Sequence, residues 1–275
     1  MRILVKIGSS LISEGPRVRF PWLAQKVWEI ASLAEQGHTF LIVSSGAVAA
    51  GMEMQRVSER PSDITELQLL SGIGQVRLMT YYKDLFREWN RSVAQILLTH
   101  HNFASDRERA TITDIIGRYF SRNVIPIVNE NDMVDKEEFD YQKSFSDNDI
   151  LAALVGVNAG VDLAVLLTDV DGLYAADPKT NDSAELIEEV ERVTPEIEAM
   201  ASSNGSPLGL GGMSSKVIAS RMLTEAGIPT IIASGRYELG DVVNRTAPAT
   251  SFHAQPNEHG AQPAARDQDD KGVSP

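Results

Sequence analysis

Phe40-Leu41-Ile42-Val43-Ser44-Ser45-Gly46 passes from four large apolar residues straight into two serines and a glycine. An apolar run without alternation, halted by a small polar cluster, is the pattern of a strand buried on both faces. The pattern recurs along the chain. Residues 2–5 lead to Lys6, 124–128 to Asn129-Glu130-Asn131-Asp132, and 163–167 to Thr168-Asp169; residues 93–98 form a further strand and 230–233 the last clear one. Helical spacing fills the intervals. Leu23, Val27, Ile30, Ala31 and Ala34 recur on one face, and Gly37 closes that helix at its C-terminal end. Residues 67–89, 110–119 and 213–226 read as helices, the last with Val217, Ile218, Met222 and Leu223 as its apolar face. Another helix begins near Asp147, whose carboxylate suits an N-cap, after a polar excursion or hairpin over 133–146. Buried strands alternating with helices predict a three-layer α/β/α sandwich around a mainly parallel central sheet. In such sheets ligands bind at the carboxyl ends of the strands, which is where these polar clusters fall.

The chain of 275 residues, 43% hydrophobic and 23% charged, is sufficient for one large domain with a sizeable core. Residues 1–253 read as that domain, and 254–275, rich in Gln, Asp, Pro, Gly and Ala, as a disordered polar tail. No apolar run approaches the roughly 20 residues that span a bilayer, and Lys6 interrupts the N-terminal run too early for a signal peptide. The absence of cysteine excludes disulfides, thiolate metal sites and cysteine nucleophiles, and fits a reducing cytoplasmic location. A net charge of −13 makes nucleic acid and anionic membrane poor partners. An anionic substrate would need local positive charge.

Lysines beside glycine-rich turns can supply it. Gly209-Leu210-Gly211-Gly212-Met213-Ser214-Ser215-Lys216 is not a Walker A loop, because Ser215 stands where glycine should precede the lysine. Its glycines nevertheless let backbone N–H groups approach phosphate, the following helix offers its N-terminus, and Lys216 adds a point charge; the alternative is a solvated surface loop. Lys6 at the end of an apolar strand either meets an anion or snorkels to the surface, and Gly8 beside it leaves room for a ligand. Ser45 and the Gly46 N–H can bond a carboxylate, or form only a tight strand-to-helix turn. Asp132 suits an ammonium group; Asn129 and Asn148 suit carboxylate or amine; Asp149 lies in a first helical turn, where a plain capping role is the alternative. His100 and His101 have no ligand spacing and read as structural or surface residues.

In this order the clusters resemble the amino acid kinase family, and most closely its branch that phosphorylates the γ-carboxylate of glutamate. The residues carrying the likeness are Val5-Lys6-Ile7-Gly8-Ser9-Ser10, residues 43–51 (VSSGAVAAG), Val128-Asn129-Glu130-Asn131-Asp132, Asp147-Asn148-Asp149, residues 167–174 (LTDVDGLY), Ala176-Asp177-Pro178 and Gly211-Gly212-Met213-Ser214-Ser215-Lys216. The likeness runs from Arg2 to about Gln255. It implies that Lys6 and Lys216 contact the transferring phosphoryl group and that Asp149 orients them. It implies that Ser45, Gly46, Asn129, Asp132 and Asn148 bind glutamate. ATP, carrying its own Mg²⁺ with no protein-side metal ligand, would meet Lys6, Gly8, Thr168, Asp169, Tyr174, Asp177 and Leu210, Gly211, Gly212, Met213, Ser214, Ser215 and Lys216. The product would be γ-glutamyl phosphate, at the first step of proline biosynthesis. The resemblance further implies proline as feedback inhibitor, glutamyl phosphate reductase as functional partner, and a homo-oligomer.

Two departures stand out. Leu210 replaces a small polar residue found in many relatives. Many members of that branch also carry a C-terminal accessory domain of RNA-modification type (PUA), where this chain has the polar tail. An ionised γ-carboxylate, with a reference pKa of about 4.3, needs no general base, in keeping with the lack of a His or Cys nucleophile array. Rival readings on the same fold are aspartate, N-acetylglutamate, carbamate and nucleoside-monophosphate kinases, or a non-catalytic nucleotide or amino-acid sensor.

Overall fold

Most strands of the central sheet feed a helix that packs back on it, as the alternating strand and helix periods predict. The computed structural model describes residues 1–134, 148–178, 180–181, 183–203 and 212–256. β1 (Arg2–Ile7) leads into a short helix α1 (Ser9–Ile12) and a small hairpin of β2 (Ser13–Glu14) and β3 (Arg17–Val18). Then come α2 (Phe20–Glu35), β4 (Thr39–Ser44), α3 (Ala47–Gln55), α4 (Ile64–Arg87) and β5 (Ser92–Leu98). A 3₁₀ turn at His100–Phe103 precedes α5 (Asp106–Ser121) and β6 (Val124–Glu130). The chain continues through α6 (Asn148–Ala159), β7 (Leu163–Thr168), β8 (Glu189–Val190), α7 (Pro195–Ser203), α8 (Met213–Glu225), β9 (Thr230–Ser234), α9 (Leu239–Val243) and β10 (Ala249–Phe252).

Eight strands form one sheet in the order β5-β6-β4-β1-β7-β9-β10-β8, parallel except where β10 runs against β9. Alternate strand residues enter two separate cores. Ile3, Val5, Ile42 and Val165 face α2, α4 and α9, while Leu4, Leu41, Val43, Leu166 and Ile232 face α5, α6 and α8. The three-layer expectation holds. Sequence reading undercounted the strands after β7: β8 and β10 have two and four residues, too short for a period to register. It also ended the sixth strand two residues early, since the ladder runs on through Asn129 and Glu130.

Gly37 takes a left-handed φ of 92° at the end of α2, the terminating role expected of it. The hairpin expected over 133–146 and the cap expected at Asp147 fall outside the described residues beyond Val134. Gln255 donates its backbone N–H to Thr224 and its side chain to Glu191, so the chain is bonded to the fold up to that point. The tail read from 254 onward lies outside the described residues after Pro256.

Candidate active site

Lys6 is two residues beyond Leu4 on β1, so its side chain leaves the sheet on the face covered by α6 and α8. There it meets the first turns of both helices. Asp149 of α6 is fully buried, with Lys6 Nζ 2.6 Å from one carboxylate oxygen and Lys216 Nζ of α8 3.0 Å from the other. Ser215 donates its hydroxyl to the Lys216-bound oxygen at 2.8 Å, and Lys216 also donates to the Gly212 carbonyl at 3.3 Å. Both ammoniums are nearly buried, at 3% and 6% exposure. Burial alone pushes the Asp149 carboxyl up. The charges of Lys216 and Lys6, with hydrogen bonds from Lys6 and Ser215, outweigh burial and hold it well below the ordinary carboxylate range. Asp149 is thus an anion that fixes the spacing of two cations rather than a base.

Gly8 lies beside the first cation. A Cβ there would sit 3.5 Å from Lys6 Nζ and 3.8 Å from the Leu167 carbonyl oxygen, directly against the ammonium. The φ of Gly8 is −77°, which any residue can adopt, so room, not conformation, is what glycine supplies here. Gly46 differs. It caps α3 at φ 105°, and a Cβ there would lie 2.8 Å from Ile12. Gly212 caps α8 at φ 98° in open surroundings.

The residues read as substrate-binding adjoin this bridge. Asn148, next to Asp149, donates its side-chain amide to Ser45 Oγ at 3.1 Å. Among the described residues nothing donates to its buried carbonyl oxygen, nor to the buried Oδ1 of Asp132. Two buried acceptors without donors are costly unless a ligand brings N–H groups. Asn129 spends its side-chain oxygen on the Glu130 N–H at 2.9 Å.

Among the residues read as nucleotide-binding, β7 ends beside β1, with Leu167 opposite Ile7, which brings Thr168 and Asp169 close to Gly8. Thr168 donates to Asp169 at 3.2 Å. The Tyr174 hydroxyl donates to Asp171 at 3.2 Å, and Arg236 reaches the same carboxylate at 2.7 Å. The Asp177 carbonyl closes a turn by accepting from Thr180 and Asn181. Met213 is buried in the core shared by α6 and α8, and Ser214 turns toward Ser202 of α7. Leu210 and Gly211 lie outside the described residues.

Sequence reasoning overlooked Gln68 and Ser71, whose side chains bond Asp132, and Arg236, which reaches Asp171. Gln68 and Ser71 sit at apolar-face positions of a helix, where a polar residue has no motif to flag it. The one available signal was three polar residues, Gln68, Ser71 and Gln75, on a helical face that is otherwise core.

Residues 1–234 match the amino acid kinase family. The chain is 38% identical to the glutamate 5-kinase of Deinococcus radiodurans over 97% of this chain and 72% of the relative. It is 35% identical to that of Lactococcus lactis over 92% and 94%. Among solved structures, carbamate kinase from Giardia lamblia bound to AMP-PNP superposes with a TM-score of 0.62 at 16% identity, covering 92% of this chain and 98% of that one. UMP kinase from Ureaplasma parvum superposes at 0.60 and 14% identity, with the same coverage of both chains. At those identities the two structures speak for the fold.

Proposed function

The chain belongs to the amino acid kinase family, and we infer from its likeness to glutamate 5-kinases that it transfers the γ-phosphoryl group of ATP to the side-chain carboxylate of L-glutamate. The product is γ-glutamyl phosphate, and the reaction opens proline biosynthesis. The observation that supports this most directly is the buried Lys6–Asp149–Lys216 bridge. The γ-carboxylate is ionised at neutral pH, so its oxygen attacks the γ-phosphorus in line while the bond to the β,γ-bridging oxygen breaks and ADP leaves. No proton moves in that step.

Catalysis then rests on placement and on positive charge over the equatorial oxygens. Lys6 and Lys216 supply that charge from fixed points, and Asp149 holds them against mutual repulsion. Mg²⁺ enters with ATP as part of the nucleotide substrate. Backbone N–H groups at the start of α8 and the opening beside Gly8 suit the phosphates, while Thr168, Asp169, Tyr174 and Asp177 flank the nucleotide. Glutamate's ammonium would satisfy Asp132 Oδ1 and Asn148 Oδ1, buried acceptors to which nothing donates among the described residues. Ser45 and the Gly46 N–H suit a carboxylate. An N-acetylated substrate offers Asp132 no ammonium, which favours free glutamate. Feedback by proline, supply of product to a glutamyl phosphate reductase, a homo-oligomeric state and a cytoplasmic location complete the proposal.

Hydroxylamine trapping tests it. ATP with glutamate should yield hydroxamate, with aspartate and N-acetylglutamate giving far less; no glutamate-dependent hydroxamate would refute the assignment. In the same assay Lys216→Ala should lower kcat by roughly 10²–10³-fold, as for loss of one preorganised charge-stabilising donor. Turnover within a few-fold of wild type would remove Lys216 from the mechanism.

A further inference from the structure

We propose that Ser71, on α4, is a positioning residue for amine recognition: its hydroxyl sets the Asp132 carboxylate so that the other oxygen faces the substrate ammonium. This rests on the reading of Asp132 as the ammonium-binding residue.

Ser71 is 1% exposed in the middle of a long helix. A serine there ordinarily bonds the carbonyl four residues back. Ser71 instead donates to Asp132 Oδ2, 61 residues away. One turn earlier Gln68 donates its side-chain amide to the Asp132 carbonyl at 2.6 Å. Residues three apart share a helix face, so α4 grips Asp132 at both backbone and carboxylate. Met133 continues along the same helix, with its sulfur 3.0 Å from where a Cβ on Gly72 would be. Oδ2 is thereby engaged, while the buried Oδ1 has no donor among the described residues.

A carboxylate bonded through one oxygen has its torsion set, and its free oxygen presents one direction for an incoming N–H. Without the hydroxyl, the carboxylate could rotate, and part of the binding free energy would go to ordering it. The grip lies next to a close helix crossing, where α3 and α4 meet backbone to backbone at Gly51 and Gly74. The Ser71 hydroxyl is spent on Asp132 rather than on the phosphoryl bridge, so its effect should fall on glutamate and not on the nucleotide.

Steady-state kinetics on the full chain tests this. Ser71→Ala should raise the KM for glutamate by roughly tenfold, the worth of one hydrogen bond to a charged group, with the KM for MgATP within about twofold of wild type. Ser71→Cys fills the site with a slightly larger group that donates only weakly, so it should follow the alanine variant; a cysteine variant that behaves as wild type would mean the serine only fills space, and overturns the inference. In an Asp132→Asn background, Ser71→Ala should add less than about twofold, since its effect runs through that carboxylate. An unchanged KM for glutamate, a KM for MgATP that rises in step, or full additivity each overturns it. Wild-type protein that does not turn over glutamate at all would instead refute the underlying substrate reading.

Discussion

Asp149 shows how one residue can decide whether a cluster of charges is viable. Two ammoniums held close within a low-dielectric site repel strongly, and each is costly to bury alone. The carboxylate between them turns two liabilities into one satisfied network, with Ser215 filling a further lone pair. Removing it should be severe. Asp149→Asn is expected to abolish detectable turnover and to lower the unfolding free energy at pH 7 by about 3–5 kcal/mol, the usual result of breaking a buried ion pair. The pH dependence has a defined sign. The folded carboxyl lies below its ordinary value of 3.8, so the unfolded chain binds more protons at this position. The stabilisation is therefore complete above about pH 4 and is lost as pH falls toward the depressed folded value. Urea titrations at a series of pH values should find the gap between wild type and Asp149→Asn narrowing as pH drops below about 4. A gap that is constant with pH would mean the carboxylate is not held ionised by its partners.

At the scale of elements, α4 does more than cover the sheet. Its Leu78, Tyr82 and Phe86 enter the core, its Gln68 and Ser71 hold Asp132, and its Gly74 presses on α3. A Cβ on Gly74 would fall 1.8 Å from the Ala47 carbonyl oxygen, and one on Gly51 would fall 1.9 Å from that of Leu70. Backbone cannot yield as a flexible side chain can. Gly74→Ala should thus destabilise by about 3 kcal/mol or more, at the upper end of overpacking effects, and should shift the Asp132 loop and the start of α3 together. Gly117, exposed on α5 with nothing within 4 Å of its virtual Cβ, provides the control. There the same substitution should stabilise by roughly 0.5–1 kcal/mol through helix propensity. Chemical denaturation of both variants checks the pair. Similar behaviour at the two sites would argue that the α3–α4 crossing can relax.

Across the whole molecule, distant segments are joined by polar ties as well as by the sheet. Lys26 and Glu29 of α2 are both buried and pair at 2.7 Å. Lys26 also donates to the Tyr237 carbonyl at 2.5 Å, and Glu29 accepts the Leu239 N–H at 2.9 Å. The pair therefore anchors the turn after β9, more than 200 residues along the chain, and Arg236 of that turn reaches Asp171 in the segment after β7. Glu29→Ala would leave a buried ammonium unpaired and a backbone N–H without an acceptor. A loss of about 3–5 kcal/mol is expected from thermal or urea unfolding. A loss below about 1 kcal/mol would show that water or neighbouring groups replace the carboxylate.

The sequence by itself determined the class of fold, the polar strand ends and the two lysine-bearing glycine regions, because each is written in a local period or a short motif. Continuous apolar runs at 40–43 and 124–128 meant buried parallel strands, and the clusters after them marked the ligand edge of the sheet. The likeness of those clusters to a kinase family supplied the chemistry. Which strands adjoin, that β10 runs antiparallel, and that Ser71, Gln68, Lys26 and Glu29 serve groups far along the chain were decided by the tertiary structure alone. These depend on shape complementarity and on the pairing of buried donors with acceptors across 61 to 211 residues, which no local periodicity encodes.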